Sequence, residues 1–319
     1  MEENKEIIEV TETEIKTEEN KSSVANNLDK IDEKRTKFWN IYLQQKKANN
    51  WVFIPSLALI LILYVVLGNY FAIAVGITAV ILIFIYIYTN KAKKKIDELL
   101  KAYVKDYYTL FNEYALDSKN ITELAYDQEE KLEKNEFSDA GFILDVHAIN
   151  SRNVVHGKWF DLKFKVGDLV AKILVAKKEE ACFLGKLFIV EAPEDTEYKT
   201  IIYIKPHEDN GEGPNNIGGL EERKDLGLGD NIVVWSNDPQ VKKIFTKKVI
   251  LALQAFEPNK DLVDVAISIL GDKINIALSY ENGLLVLPSQ EPLKRGPVEQ
   301  YKQDVARVEL FIKALTNQK

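Results

Sequence analysis

The chain has 319 residues, 46% of them hydrophobic and 29% charged, with a formal net charge of -7. That length accommodates one good-sized domain plus membrane segments, and the acidic balance argues against nucleic acid as a partner, because nucleic-acid binding usually needs a basic face. Cys182 is the single cysteine, which excludes a disulfide framework and a cysteine-based metal site. Next to Phe183 and Leu184 it reads as a small buried hydrophobe.

Residues 1–23 carry eight glutamates against Lys5, Lys16 and Lys21, and read as a disordered acidic tail. They hold no apolar run of the kind a signal peptide needs. From Val24 the pattern changes. Val24, Leu28, Ile31, Arg35, Phe38 and Tyr42 alternate spacings of four and three, which predicts an amphipathic cytosolic helix over 24–50.

Two uncharged apolar runs follow, 51–67 and 70–88, separated by Gly68-Asn69. Each is close to the roughly 20 residues that cross a hydrocarbon core of about 30 Å. Neither has the polar stripe of a soluble core helix, so the expectation is a transmembrane hairpin over 51–90. Trp51, Tyr64, Tyr70, Tyr86 and Tyr88 lie mostly near the segment ends, as an interfacial aromatic belt requires. Lys46 and Lys47 precede the hairpin, and Lys91, Lys93, Lys94 and Lys95 follow it, while the turn is uncharged. The positive-inside rule therefore expects a multi-pass protein of the cell membrane with both termini cytoplasmic. Ala72 and Gly76 have the small-xxx-small spacing that permits close helix approach. With no ionisable residue inside the runs, the pair reads as an anchor and not an ion path.

After the membrane, Ile96, Leu100, Tyr103, Tyr107, Leu110 and Tyr114 repeat the 3.5-residue seam, predicting a stalk helix over 91–117. Antiparallel pairing with the first seam would place Tyr42 by Leu100, Phe38 by Tyr103 and Arg35 by Tyr107. A parallel coiled coil between copies, or separate packing of each helix, uses the same pattern. Residues 118–157 read as a polar connector, and a soluble domain is expected over 158–319. Its strand runs are Trp159–Val166, Asp168–Ala176, Gly185–Glu191, Thr200–Lys205 and Asn231–Trp235. Asp238-Pro239 then reads as a helix start, with Val241, Phe245, Val249, Ala252 and Phe256 on one face. Val265 to Tyr280 alternates around Gly271-Asp272 like a two-residue hairpin. A strand near Leu284–Leu287 follows, then a last helix with Val298, Tyr301, Val305, Val308, Ile312 and Leu315 in register. Strands in runs with two late helices predict an α+β domain with a mainly antiparallel sheet.

These stretches, above all Leu187-Phe188-Ile189-Val190-Glu191-Ala192, Val233-Val234-Trp235-Ser236-Asn237-Asp238 and Gly271 to Leu278, resemble the uncharacterised bacterial membrane proteins catalogued as domain of unknown function 3137. The resemblance implies a polar N-terminus, two transmembrane helices and a cytosolic α+β domain. It implies no activity and no site residue.

The segment 206–230 holds seven carboxylates against Arg223 and Lys224, with many glycines. His207, Glu208, Asp209 and Glu212 are its candidate contact residues, either for a protein partner or, as oxygen ligands on a loop, for a hard cation. Their spacing fits neither an EF-hand loop nor a phosphate loop, so a solvated loop without a metal is the simpler reading. Asp145 and His147 would share one face of a strand, and His156 is the third histidine. No serine or cysteine stands in a nucleophile setting. The sequence thus predicts a membrane-anchored interaction or scaffold domain without cofactor, whose partners are the bilayer and another protein. An enzyme with a site near the 206–230 loop, or a subunit of a transport assembly, are the alternatives.

Overall fold

The computed structural model describes residues 21–66, 70–142, 146–204, 219–256, 262–281 and 295–316. Residues 1–20, the Gly68-Asn69 turn and the strand expected near Leu284–Leu287 lie outside them. The protein is α+β, with helices and an antiparallel sheet, and forms two compact units, one built on Lys21–Leu110 and one on Phe111–Val286 with Lys294–Lys319.

The first unit is helical. Helix α1 spans Lys21–Val66 and α2 spans Phe71–Ala115, so each apolar run continues into its charged neighbour without a break. α1 already contains Lys21–Ser23, three residues expected in the tail. Among the described residues one helix, over Val75–Ala115, is long and apolar enough to cross a membrane, and none of its apolar window is buried. Lys34 Nζ bonds Asp106 Oδ2 at 2.7 Å, joining α1 to α2. Ile31, Arg35, Tyr103 and Tyr107 of the two predicted seams are buried, whereas Leu100 is 42% exposed. The covered stripe passes through Leu99 instead. Ile96, Tyr103, Tyr107, Leu110 and Tyr114 stay covered, so the departure from the predicted seam is confined to this one layer. Arg35 pairs with Asp32 of its own helix at 2.7 Å. Burial first, and then Tyr107, hold the Tyr103 phenol above its usual range, with Arg35 pulling it back. Arg35 and Asp32 therefore face Tyr103, where Phe38 was the expected neighbour; the Phe38 side chain lies outside the described residues.

The second unit is a seven-stranded sheet, β1 (Ile121–Asp127), β2 (Ala148–Trp159), β3 (Leu162–Val175), β4 (Lys178–Ile204), β5 (Glu221–Glu222), β6 (Ile232–Ser236) and β7 (Leu262–Tyr280). Its helices are α3 (Lys134–Ala140), α4 (Lys247–Gln254) and α5 (Arg295–Leu315). Every strand pair is antiparallel, in the order β1-β2-β3-β4-β6-β5, with β7 also on β4. The residues expected as a connector thus supply β1, α3 and most of β2. Among the described residues edge strand β1 has one neighbour and a mostly exposed burial pattern, so its composition is that of a loop.

Three further expectations are corrected. Trp159–Val166 is not one strand, because Phe160 and Asp161 (φ 49° and 70°) turn β2 into β3 and bring Trp159 opposite Leu162. Gly271-Asp272 is not a hairpin turn: both halves of β7 pair with β4, from Gly185↔Ser279 to Ile204↔Val265. β4 unites the two strands expected at Gly185–Glu191 and Thr200–Lys205, and its register slips between Glu191 and Lys199, opposite Gly271. A two-residue turn and a bulged bend need the same glycine at positive φ (here 60°), so the local pattern fits both. Finally, Asp238 opens a 3-10 turn at Val241–Lys243, and α4 starts later with Thr246 as N-cap, its hydroxyl accepting from Val249 N. The apolar face predicted around it, Val241 to Phe256, is buried as expected.

The core lies on both faces of the sheet. On one, Phe137 and Ala140 of α3 cover Leu187, Ile201 and Ala277. On the other, Trp159, Phe164 and Phe188 stack together, and Tyr301 of α5 lies parallel to Phe111 with centroids 5.5 Å apart. Val298, Tyr301, Val305, Val308 and Ile312 are buried, so the α5 stripe is the one its sequence spells.

The tightest point is Gly185, where a Cβ would stand 1.8 Å from the Leu278 carbonyl oxygen. Gly185→Ala must therefore part β4 from β7, and its expected cost exceeds about 3 kcal/mol. Gly227→Ala has open space around it and meets only the strain of φ +63°, about 1 kcal/mol. Urea unfolding of both variants in detergent, followed by tryptophan fluorescence, checks the order.

Candidate functional site

A charged residue inside an apolar pattern is the first thing to account for, because Lys and Asp are rarely buried unless paired. Two stand out. Lys186 lies between Gly185 and Leu187 in β4 and is 1% exposed; Asp304 lies on the buried stripe of α5 and is 0% exposed. Strand alternation sends Lys186 to the same face as Phe188, under α5. There its ammonium forms a buried ion pair with Asp168 of β3 and sits 4.0 Å over the centroid of the Tyr301 ring. Arg152 of β2 approaches the other Asp168 oxygen, Oδ2, at 3.8 Å. Burial pushes the Lys186 ammonium below its ordinary value, against the pull of Asp168.

Asp304 accepts from Tyr280 Oη of β7 at 2.7 Å, Gln300 Nε2 at 2.9 Å and Arg307 Nη1 at 2.8 Å. Burial raises its carboxyl pKa and those three donors oppose the rise. Tyr114 and Asn120 add bonds from outside the sheet to α5, to Glu299 at 2.7 Å and Glu309 at 2.5 Å. The arrangement clamps α5 across β3, β4 and β7. With its amine sealed from solvent, Lys186 meets no solute, so this chemistry is internal positioning. The sequence marks Tyr114, Tyr280 and Tyr301 as apolar-pattern positions and does not single out the charged residues. The readable signal was the break in apolar pattern at Lys186 and Asp304.

Of the residues singled out, His207, Glu208, Asp209 and Glu212 lie outside the described residues. The described end of that acidic segment is neutralised from within. Arg223 grips Asp225 through Nε and Nη2 at 2.9 and 3.1 Å, and Lys242 reaches the same carboxylate at 3.0 Å. These hydrogen bonds hold the Asp225 carboxyl far below the usual range. Asp145 also lies outside the described residues. His147 is 3.7 Å from Glu179 and so is placed in a surface ion cluster with Lys172. His156 bonds Glu130, which Lys165 also contacts at 3.1 Å while bridging to Glu136 at 2.9 Å. Cys182 is half-buried against the α3 face of the core, and burial pushes its thiol up, away from the thiolate a nucleophile needs. Among the described residues no group of three or more His, Cys, Asp or Glu side chains gathers around a point where a metal ion would sit.

No family model and no curated protein matches the chain. Among solved structures, the crystal structure of the mycobacterial trehalose monomycolate transport factor A, TtfA, aligns with a TM-score of 0.35 at 10% identity, over 60% of this chain and 88% of that one. An overlap that loose carries no conclusion about fold or function.

Two outcomes follow from the charges. Asp168→Asn leaves Lys186 buried without its counter-ion and is expected to cost about 3–5 kcal/mol, whereas replacing the pair together, Lys186→Met with Asp168→Leu, recovers most of that loss. Chemical denaturation of the single and double variants measures both. At Glu130, burial pushes the carboxyl upward, and the His156 and Lys165 hydrogen bonds outweigh it, leaving it below its usual range. A depressed carboxyl stabilises the fold above its unfolded pKa of about 4.3 and loses that contribution as pH falls through the folded value. Glu130→Gln should therefore lose less stability than the parent between pH 6 and pH 3, read as the urea midpoint at each pH.

Proposed function

We propose that the protein is a membrane-anchored interaction module, in which α1 and α2 cross the bilayer as a hairpin and the sheet unit is a cytoplasmic binding domain without catalysis of its own. The observation that carries this reading is where the exposed apolar side chains lie. Leu61, Val65, Val66, Phe84 and Tyr86 are 65–83% exposed, and such residues cluster between Ile41 and Tyr88. From residue 91 onward, the described residues include Leu100, Leu174 and Val175 as exposed large hydrophobics. Water does not tolerate the first set on neighbouring turns, and a bilayer does; the remainder is an ordinary soluble surface.

The lysines on both flanks of the hairpin favour cytoplasmic ends, and Lys91–Lys95 would meet anionic headgroups. The Lys34–Asp106 bond supports an antiparallel pairing of the helical continuations. The family resemblance at Val233–Asp238 implies the same arrangement. The interaction role is favoured over an enzyme because the charges within reach are spent on one another: Lys186 on Asp168, Asp304 on Tyr280 and Arg307, Asp225 on Arg223 and Lys242.

Carbonate washing of membranes is expected to leave the full chain in the pellet, and a chain beginning at Phe111 is expected in the supernatant. Reporter fusions at residue 319 and before residue 24 should both read cytoplasmic. Extraction of the full chain by carbonate, or an external signal from either fusion, overturns the anchor.

A further inference from the structure

β3 and β4 run on past their neighbours. Among the described residues, β2 pairs β3 no further than Lys172, and β7 pairs β4 no further than Gly185. Ile173–Val175 and Lys178–Glu180 therefore pair with each other and with no other described strand. Three features meet on this arm. Its turn, Ala176-Lys177, places two non-glycine residues in the left-handed region, at φ 49° and 68°, as the Phe160-Asp161 turn does between β2 and β3. Among the described residues of that unit, it carries the exposed large hydrophobics, Leu174 at 52% and Val175 at 41%. Its β4 side, residues 178–184, offers backbone N–H and C=O groups with no described strand beside them.

An open edge next to apolar side chains is a template for another strand. We propose that the arm pairs with the same arm of a second copy, β4 edge to β4 edge, antiparallel about a two-fold axis through Glu179. Charge selects this occupant. In that register Lys178 of each copy lies opposite Glu180 of the other, two favourable cross-strand pairs, and neither residue has an ion-pair partner within the described chain. Glu179 meets its own copy on the axis, but each is already neutralised by Lys172 at 2.8 Å, with His147 at 3.7 Å. Lipid is the poorer occupant. Hydrocarbon cannot satisfy an open strand edge, and Glu179 and Glu180 repel anionic headgroups. A sheet edge of another protein lacks the reason for this charge order. The ladder is short and its solution affinity low. The membrane-anchored reading adds only the crowding of copies in one bilayer, and the edge chemistry stands without it.

The test uses the full chain in its membrane, with Cys182→Ser as background. Glu179→Cys puts a thiol on the axis, where antiparallel Cα spacings of about 4.5–5.5 Å suit a disulfide. Mild oxidation is expected to give covalent dimers. Adding Lys178→Glu should slow cross-linking roughly fivefold, since both pairs become repulsive, and adding Glu180→Lys to that chain should restore it. No dimer from Glu179→Cys, or a dimer yield indifferent to the charges at 178 and 180, overturns the arm pairing. If the chain is meanwhile retained through a carbonate wash, the anchor stands and only the pairing falls. Extraction of the chain by carbonate is the separate failure of the anchor.

Discussion

The sheet unit depends on one ladder, the pairing of β4 with β7 from Gly185 to Ile204. Among the described strands β4 is the longest, and it joins the most neighbours: β7 on one edge, β3 and then β6 on the other. β3, β6 and β7 each pair with it directly. That explains why Gly185 has no room for a side chain, since the backbones of β4 and β7 meet there at the start of their ladder. It also explains the slip between Glu191 and Lys199. A strand of 27 residues flanked by two successive neighbours must bend where one hands over to the next, and extra residues in β4 opposite Gly271 make the bend.

Burial on both faces follows from that ladder and creates the unit's main liability. Lys186 sits where a central strand has no water on either side, so its ammonium carries a desolvation cost of several kcal/mol before any partner is counted. Asp168 supplies the counter-charge, the Tyr301 ring supplies its negative face, and Arg152 answers the second oxygen. Such a group contributes less to net stability than a hydrophobe of the same shape would. What it does supply is register. Lys186 reaches Tyr301 only if α5 lies at one height on the sheet, and the Tyr280–Asp304 bond sets the same height independently. An apolar interface alone would let the helix slide by a turn with little penalty.

How much of this was legible in the sequence depends on which interactions are local. The α5 stripe, the buried face from Val241 to Phe256 and the alternation along β4 and β7 are consequences of side-chain period, and each was readable. The pairing of those strands was not. Gly271-Asp272 satisfies a hairpin turn and a bulged bend equally, and only the distant β4 decides between them. β1 reads as connector because an edge strand needs few apolar residues. Asp238-Pro239 reads as the helix start, but a 3-10 turn takes it up and the helix itself begins only after Thr246. The buried charges announced themselves as breaks in apolar runs, yet their partners lie on four different elements, which no spacing rule connects.

The same logic separates what is sealed from what is open. Within the sheet unit, charge is hidden where it has partners on several elements, as at Lys186 and Asp304, and apolar surface is exposed where the neighbouring strands stop, at Leu174 and Val175. Strain lies there too, in the left-handed Ala176 and Lys177. A glycine or asparagine at either position would relieve that strain at no packing cost, because the turn is exposed. Their absence leaves the tip with an apolar-then-basic surface on a two-residue turn, and strand alternation beyond it puts the Lys178 and Glu180 side chains on one face of the arm. The β3–β4 register fixes that face before a partner arrives, and an edge that pairs by charge order gains from such preorganisation.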